Sequence, residues 1–323
     1  MEITLKKTNE LNQSDWKKYI DAFNTVFEKS FSFEFFQNKY EKTIKGYSYH
    51  SFLTTEDNQI VGGCTTIPFS YNFGNEKKLV GLVVDVFVLK EHRRNPYALL
   101  KMYQKQGDLL REEGITMILG VPNDVAYPYW KKLAKWKDIG SLTYYVMPVK
   151  IGNVIGKKSS LLNFASTVFT KSLTIISTIN PSKEKACPIS IDRSESIIEQ
   201  QRYNENHELV DQNGIFFSFR IEIEKGIRTC YLIDFYSKNS KQKTAQALRK
   251  AISYITKNTD VDIIIYVGKL NFFQTLLFKV PKSKEPKTLP LTNDVLLPNE
   301  FKDSNFISDI KNWDFGLFNY DVR

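Results

Sequence analysis

The sequence is poor in the residues that build disulfide and metal sites. Its 323 residues include only three cysteines and three histidines, and both are scattered along the chain. The cysteines form no CxxC pair, so neither a disulfide framework nor a zinc site is predicted. Three isolated histidines give little support to any other metal centre. We therefore expect no bound metal.

Long apolar runs are also missing. No stretch has the roughly 18 uninterrupted apolar residues that a transmembrane helix needs. The N-terminal residues MEITLKKTNELNQ lack the apolar core of a signal peptide, so the sequence predicts a cytoplasmic protein. The nearest candidate for a membrane contact is LLNFASTVFTKSLTIISTIN, residues 161–180. Its lysine and its many Ser and Thr favour an amphipathic connecting helix, and contact with a membrane surface is the minority interpretation.

Acidic residues are fewer than basic ones, and the net charge is +9. A basic protein suits an anionic ligand or nucleic acid. The lysines and arginines are spread along the whole chain, however, and no nucleic-acid-binding motif is present. A lysine-rich solvated surface explains the charge, and nucleic acid is not predicted as a partner.

The order of apolar patterns predicts an α/β protein in which a mixed central sheet is flanked by helices. Residues 1–150 have the order strand, two helices, three strands, helix, strand, helix, strand, and SLTYYVMPVKI is the last of these strands. Residues 151–185 are a connector with an amphipathic helix. Residues 186–323 repeat part of the order without obvious sequence identity, so we expect a divergent second copy, in which LNFFQTLLFKV is a helix and WDFGLFNYD is a strand. The length fits two domains.

One turn between a strand and a helix carries unusual charge. The apolar run ending in VVDVFVL is followed by Lys-Glu-His-Arg-Arg-Asn-Pro, and a helical pattern begins at Pro96. A helix N-terminus offers unpaired N–H groups and a partial positive charge to an anion. Arg93 and Arg94 add forked donors suited to phosphate. A solvated turn without a ligand fits the same pattern, and both interpretations stay open at this point.

The order of elements and this turn resemble the GNAT superfamily of acyl-CoA-dependent N-acyltransferases. The family's turn follows the pattern Arg/Gln-x-x-Gly-x-Gly/Ala after the fourth strand. The corresponding residues here are Arg93, Arg94, Asn95, Pro96, Tyr97 and Ala98. The first arginine and the last small residue match, whereas Pro96 replaces the central glycine and removes one N–H group. The resemblance covers roughly residues 1–150.

The resemblance implies that the protein uses acetyl-CoA or another acyl-CoA as donor, with its pyrophosphate at this turn. We expect Val86, Phe87 and Val88, which precede the turn, to contact the coenzyme. The segment VPNDVAYPYWKKLAKWKDIG resembles a second part of the family. Asn123 lies where the family meets the coenzyme or its acyl arm. A tryptophan, Trp130, replaces the tyrosine that often protonates the leaving thiolate.

Two side chains are candidates for proton transfer. Asp85 interrupts an apolar strand, and a buried charge needs either a partner or a function. In similar acyltransferases an acidic residue on this strand, or its bound water, takes a proton from the acceptor amine. An ion pair or exposure to solvent explains Asp85 equally simply. Tyr129, next to the family's tyrosine position, is the expected acid, although aromatic packing is an alternative role.

These observations predict an N-acyltransferase that moves an acetyl or short acyl group from acyl-CoA to a primary amine. The acceptor is expected to be an amino sugar, a small amine or a peptide. The second half has SKNSKQKT after its strand and lacks the coenzyme pattern, so it is expected to bind no coenzyme. Two alternatives stay open: an aminoacyl-tRNA-dependent peptidyl transferase of the cell-wall type, and a non-catalytic binding module.

Overall fold

The computed structural model describes residues 1–156, 159–176, 187–194, 196–270 and 276–320. The strands are β1 Glu2–Lys7, β2 Tyr49–Thr54, β3 Ile60–Phe73, β4 Glu76–Val88, β5 Met117–Gly120, β6 Lys137–Ser141, β7 Thr143–Pro148, β8 Ile189–Ile191, β9 Glu208–Gln212, β10 Ile215–Glu224, β11 Ile227–Ser237, β12 Ile263–Gly268, β13 Phe278–Lys279, β14 Pro290–Val295 and β15 Trp313–Asp314. The helices are α1 Gln13–Phe27, α2 Phe33–Glu41, α3 Pro96–Glu112, α4 Tyr127–Lys132, α5 Ile151–Val154, α6 Ser160–Ile176, α7 Ser196–Arg202, α8 Ala245–Asn258 and α9 Ser304–Ser308.

The first of two compact units comprises Met1–Gly140, Ile191–Arg202 and Pro290–Ser308. Its strands follow the order β1-β2-β3-β4-β5-β14-β6. Pairing is antiparallel from β1 to β4, parallel between β4 and β5, and antiparallel between β5 and β14. The sheet is therefore mixed, and the predicted α/β class is confirmed.

Helices cover both faces of this sheet. Helix α1 begins after Asn12, whose side chain accepts a hydrogen bond from the backbone N–H of Asp15 and so pairs a free donor of the first turn. Helix α1 packs against β3 and β4 and contacts α2, whereas α3 packs against β1, β2 and β3. Since adjacent strand residues point to opposite faces of a sheet, the side chains of β2 alternate between the two helical layers.

The β2 residues Tyr49 and His50 show this separation. Tyr49 belongs to a cluster with Tyr103 of α3 and Trp130 of α4, which we call the α3–α4 cluster. The His50 ring instead contacts aromatic rings of α1 and α2, among them Tyr40 at 4.9 Å between centroids. The first unit thus has two apolar layers, one on each face of the sheet, and residues of β4 can reach either.

The second unit comprises Ser141–Ser190, Tyr203–Leu289 and Asp309–Arg323. Its sheet has the order β13-β7-β12-β11-β10-β9. Strands β9, β10 and β11 are antiparallel, β11 and β12 are parallel, and β7 runs antiparallel to β12. This is the order and direction of β2, β3, β4, β5 and β14 in the first unit, so the strand arrangement recurs.

Each unit contains one strand from the part of the chain that the sequence assigned to the other domain. The segment SLTYYVMPVKI was expected to end the first domain, but its strand β7 pairs with β12 of the second sheet. The neighbour of β5 is instead β14, from residues 290–295. The domain boundaries at residues 150 and 185 stay a prediction, since the compact units interleave along the chain.

Two predicted elements near the C-terminus differ from the structure. A helix was expected for LNFFQTLLFKV; its residues 271–275 lie outside the described residues, and Phe278–Lys279 form the short strand β13. WDFGLFNYD was expected to be a strand throughout, but only Trp313–Asp314 are extended, and a 3-10 turn spans Leu317–Asn319. Gly316 lies between the two parts and brings the chain close to other backbone.

Candidate functional site

Strand β4 contains a bulge at Asp85. Gly63 pairs with Phe87 and Thr65 pairs with Val84, so between these two pairs β4 has one residue more than β3. Asp85 takes up the extra length with a left-handed φ of 54°. Asp tolerates this conformation better than the valines around it. The acid in the run VVDVFV therefore has a conformational reason as well as a chemical one.

The bulge distributes β4 side chains between the two layers. Val83 and Val86 pack with the α3–α4 cluster. The ring of Phe87 lies on the other face, where its centroid is 5.8 Å from those of Tyr19 and Phe23 of α1. Without the extra residue, every side chain after the bulge would change face. The bulge thus fixes which face each of the last strand residues presents.

The Asp85 carboxylate is buried and paired. Its side chain is 3% exposed, and Lys39 Nζ lies 2.6 Å from Oδ2. The Tyr40 hydroxyl donates a hydrogen bond to the same oxygen. Burial, with the Asp85 charge beside it, raises the pKa of Tyr40 well above its ordinary value. Of the explanations considered for this acid, the ion pair is present, which satisfies a charge that burial alone would make costly.

The parallel strands β4 and β5 separate beside this bulge. Their pairing runs from Val80 to Leu82 on β4, yet β4 continues to Val88. The Leu89 N–H donates to Val61 O on β3, at 2.8 Å. Because backbone groups of successive strand residues point to alternate sides, the N–H and C=O of Val88 face the β5 side. In the described chain β5 forms no ladder with β4 beyond Leu82, so this side is a gap in the sheet.

Arg93 is positioned at the mouth of this gap. Its Nε donates to Val88 O at 2.7 Å, which holds the guanidinium on the β5 side of β4. Arg93 and Arg94 are both exposed. The two positive charges therefore stand where the gap meets the N-terminus of α3, at the place where the sequence predicted an anion site.

The N–H groups at the start of α3 are already used within the turn. The Asn95 side chain accepts a hydrogen bond from Tyr97 N–H at 3.0 Å. Ala98 N–H donates to Asn95 O at 3.2 Å, and Pro96 has no N–H to offer. An anion at this helix end must displace the Asn95 side chain to reach the amide of Tyr97.

Asn123 caps the turn that leads into α4. Its Oδ1 accepts from the N–H groups of Val125 and Ala126, at 3.1 and 2.9 Å. Tyr129, two residues into α4, is half-buried against the α3–α4 cluster. Burial raises the pKa of its hydroxyl. The hydroxyl is therefore protonated at neutral pH and is a weaker acid than an ordinary phenol.

The predicted residues form two groups. Val86, Val88 and the Arg93–Ala98 turn follow one edge of β4, whereas Phe87 packs into the α1 layer. Asp85 and Tyr129 pack on opposite faces of the sheet, since Asp85 contacts α2 and Tyr129 packs with α3 and α4. Burial, and next to it the charge of Asp85, raises the pKa of Cys64 on β3 to about 12.

Sequence reasoning missed the partners of Asp85, which are Lys39 and Tyr40. They belong to the helix segment FEFFQNKYE, in which a lysine and a tyrosine are neighbours. A buried carboxylate requires a cation or a hydrogen-bond donor, so the sequence predicts that Asp85 has a partner. It does not identify the partner, because tertiary packing forms the pair.

The N-terminal part of the chain also matches a known family. Residues 7–133 match the family model described as acetyltransferase (GNAT) domain. This part of the chain is therefore similar to a GNAT domain, and we call it the GNAT domain below. The GNAT domain contains the bulged strand, the gap beside β5, the arginine turn and α4 up to Leu133. The resemblance inferred from the sequence is confirmed, and so is the expectation of an acyltransferase at the level of the family.

Solved structures share the fold over most of the chain. A GCN5-related N-acetyltransferase from Anabaena variabilis aligns with 91% of this chain and 73% of its own at 12% identity and a TM-score of 0.57. A protein of unknown function from Enterococcus faecalis, titled a probable N-acyltransferase, aligns with 92% and 73% at 12% identity and a TM-score of 0.56. The Saccharomyces cerevisiae N-myristoyltransferase with bound myristoyl-CoA aligns with 90% and 82% at 12% identity and a TM-score of 0.55. Among curated proteins there is no significant match.

Two further findings concern the described residues only. Within them, no group of three or more His, Cys, Asp or Glu side chains is arranged to hold a metal ion. None of their helices has the length and apolar character that crossing a membrane requires.

The second unit repeats the bulge but fills the gap. On β11 one extra residue lies between the pairs Ser218–Asp234 and Phe219–Leu232. The C-terminal segment, residues 313–320, lies beside it: Gly316 pairs with Gly268 at the end of β12, and the turn Leu317–Asn319 packs against β11 and β12. The position that is open beside β5 in the GNAT domain is occupied by the chain's own residues here.

Proposed function

We propose that the protein is an N-acyltransferase that moves an acetyl or another short acyl group from acyl-CoA to a primary amine. The observation that carries the proposal is the gap between β4 and β5, where the Val88 N–H points to the β5 side and the Val88 C=O accepts from Arg93, one of two exposed arginines. Backbone N–H groups at a strand edge pair with an extended amide-containing chain as another strand would. The pantetheine arm of coenzyme A is such a chain.

The pyrophosphate of the coenzyme is assigned to the turn from Arg93 to Ala98. The arginines supply charge-assisted hydrogen bonds, and the α3 N-terminus supplies a partial positive charge. Asn95 caps α3 in the absence of a ligand and gives way to a phosphate oxygen, which is the stronger acceptor. Asn123 is assigned to the acyl end of the site. The neighbour that holds myristoyl-CoA supports an acyl-CoA donor on this fold.

Chemistry is assigned to direct attack by the amine on the thioester. Bringing the two reactants together supplies most of the rate. We assign proton acceptance to Asp85, directly or through one water, and proton donation to the leaving thiolate to Tyr129. Lys39 lies 2.6 Å from Asp85 Oδ2 and holds the carboxylate in place. The amine loses its proton after attack on the thioester, when its N–H has become more acidic.

The acceptor is assigned to the class of primary amines: an amino sugar, a small amine or a peptide. A non-catalytic binding module is a second candidate, and one observation favours it. The amides of the coenzyme turn are committed to Asn95, and Pro96 lacks an N–H. A module of this kind binds acyl-CoA weakly or not at all and releases no thiol with any amine.

Calorimetric titration with acetyl-CoA and longer acyl-CoAs tests the proposal. We expect binding that weakens in Arg93→Ala and in Arg94→Ala by about 1.5–3 kcal/mol, the value of a hydrogen bond to a charged group. Lys105→Ala is the matched control, because Lys105 is an exposed cation on the same helix, away from its N-terminus. Binding that is equal in all three variants, or no binding of any acyl-CoA, contradicts the proposed site.

Turnover is measured separately, by release of free thiol from acetyl-CoA in the presence of a panel of amino sugars, diamines and peptides. Release that depends on the amine supports the transferase. Binding of the coenzyme without thiol release for any amine favours the binding module. Tyr129→Phe is expected to lower turnover while leaving coenzyme affinity unchanged; full activity in this variant removes Tyr129 from the chemistry.

A further inference from the structure

Helix α6 is amphipathic, but its polar face points toward the protein and its apolar face toward solvent. Its polar side chains face the second unit, where Ser166 and Thr167 hydroxyls donate to Val149 O at 2.8 and 3.1 Å. Thr170 is fully buried and donates to Pro148 O. The Asn163 amide exchanges hydrogen bonds with Asn153 on α5. Hydroxyl and amide groups, not apolar packing alone, therefore attach this helix to the end of β7.

The apolar side chains of α6 point outward as a result. Leu161 is 75% exposed, Phe164 70%, Val168 46% and Ile175 68%. Their spacing of three, four and seven residues places them on one stripe of a helix. The neighbouring Phe169 is exposed as well. Exposed apolar side chains that occur singly are normal, but a continuous stripe of this kind marks an interaction surface.

The sequence on either side of this stripe is basic. From Ile139 to Lys183 the sequence contains five lysines and no Asp or Glu. Lys150 is paired with Asp260. Lys171 lies on the stripe itself, between Val168 and Ile175, and is exposed. A lysine in such a position can lay its alkyl stem on an apolar surface while its ammonium group stays in water.

We propose that the outer face of α6, formed by Leu161, Phe164, Val168, Lys171 and Ile175, binds the surface of an anionic lipid bilayer. An amphipathic helix with an apolar face and basic residues lies in the plane of the interface and is attracted by anionic lipids. The helix does not span the bilayer, in keeping with the result that no described helix is suited to crossing a membrane.

The charge favours lipid over a second copy of the chain as the occupant. A symmetric dimer places the same surface on both sides of its interface, so two α6 stripes would enclose two Lys171 side chains in one apolar interface with no acidic residue on either helix to pair with them. Anionic headgroups complement that lysine. This inference is independent of the reaction that the GNAT domain catalyses.

Vesicle co-sedimentation of the full chain tests it. The probes are vesicles of phosphatidylcholine alone and vesicles in which part of this lipid is replaced by phosphatidylglycerol. We expect binding to the anionic vesicles only. The double variant Phe164→Glu/Val168→Glu is expected to reduce the partition coefficient about 100-fold, since it removes two apolar contacts. Lys171→Ala is expected to reduce it about five-fold, the share of one lysine near an anionic surface.

Ile223→Glu is the matched control, because Ile223 is 72% exposed on β10 of the same unit. It is expected to bind anionic vesicles like the unchanged protein. Equal loss in Ile223→Glu, equal binding to both vesicle types, or no vesicle binding overturns the proposal. A dimer seen by analytical ultracentrifugation that Phe164→Glu/Val168→Glu dissociates also overturns it, because the stripe then belongs to a second copy. Circular dichroism of each variant verifies that the fold is kept.

Discussion

Asp85 and Asp234 occupy equivalent positions in the two units. Asp85 lies three residues beyond Leu82, the last β4 residue paired with β5, and Asp234 lies three residues beyond Tyr231, the last β11 residue paired with β12. Each stands at a bulge and accepts a hydrogen bond from a tyrosine hydroxyl, Tyr40 for Asp85 and Tyr203 for Asp234. The two units thus share a buried acid at the point where a parallel pair of strands ends.

This equivalence provides a control for the catalytic assignment. Asp85→Asn keeps the size of the side chain and the tolerance of left-handed φ, but it leaves Lys39 without its carboxylate. If Asp85 accepts the proton of the amine, turnover in the thiol-release assay falls by about 10²–10⁴, and coenzyme affinity changes little. Asp234→Asn alters a fully buried carboxylate next to the bulge of the second unit and is expected to leave turnover unchanged. Equal activity in the two variants would refute the role of Asp85.

Asn95→Ala separates the helix cap from the coenzyme site. Loss of the bond to Tyr97 N–H removes a cap, and the free energy of unfolding should fall by about 1 kcal/mol. Because a bound phosphate must displace the same side chain, affinity for acetyl-CoA is expected to stay equal or to rise. Denaturant titration and calorimetry measure the two quantities. A loss of affinity as large as that in Arg93→Ala would mean that Asn95 itself contacts the coenzyme.

One acyl-CoA is expected to bind per chain. The position equivalent to the gap beside β5 is occupied in the second unit by residues 313–320, with Phe315 O accepting from Lys269 N–H at 2.8 Å. The buried pair of Lys243 and Asp314 attaches this segment at the start of α8. Calorimetric stoichiometry checks the expectation, and a value near two would show that the segment yields to a ligand.

Buried His50 predicts a loss of stability in mild acid. Its ring nitrogens contact the hydroxyls of Thr8 and Thr65 at 2.9 and 3.0 Å, and burial lowers its pKa to about 3. The unfolded chain, with a histidine pKa of about 6.5, binds the proton first. The stability due to neutral His50 is therefore present above pH about 6.5 and declines, by up to about 1.4 kcal/mol per pH unit, as the pH falls toward 3.

The variant His50→Gln removes this titration. Denaturant midpoints of the two proteins, measured between pH 7 and pH 5, should fall more steeply for the unchanged protein than for the variant. The comparison uses the slopes and not the absolute stabilities, since the substitution has a packing cost of its own. Parallel slopes would show that acid sensitivity arises elsewhere.

Local patterns in the sequence were sufficient to predict strand β4, the turn and the helix that follows it, but not the bulge at Asp85. The run VVDVFVL, the arginines and Pro96 are contiguous, and their conformations follow from propensity and capping. Asn123 and Asp124 directly precede a helical pattern and are residue types that cap helices, and the Asn123 side chain caps the turn before α4.

What the sequence did not reveal depends on contacts between distant residues. The pairing of Asp85 with Lys39 requires α2 to lie over the end of β4, and no local pattern specifies that packing. Strand β7 has the alternation of a strand, but alternation does not state which sheet it joins. Helix α6 was recognised from the sequence as amphipathic. Which of its faces points toward the protein depends on hydrogen bonds to the carbonyls of Pro148 and Val149.

The insertion of β14 into the first sheet affects when that sheet can form during synthesis. Strand β5 has the sequence MILG, is fully buried and pairs on one side with β14, which the ribosome makes about 170 residues later, at several residues per second. Until then, β5 is an unprotected apolar edge of the kind that promotes aggregation. We therefore expect the nascent GNAT domain to expose this apolar edge for longer than a domain built from contiguous strands would.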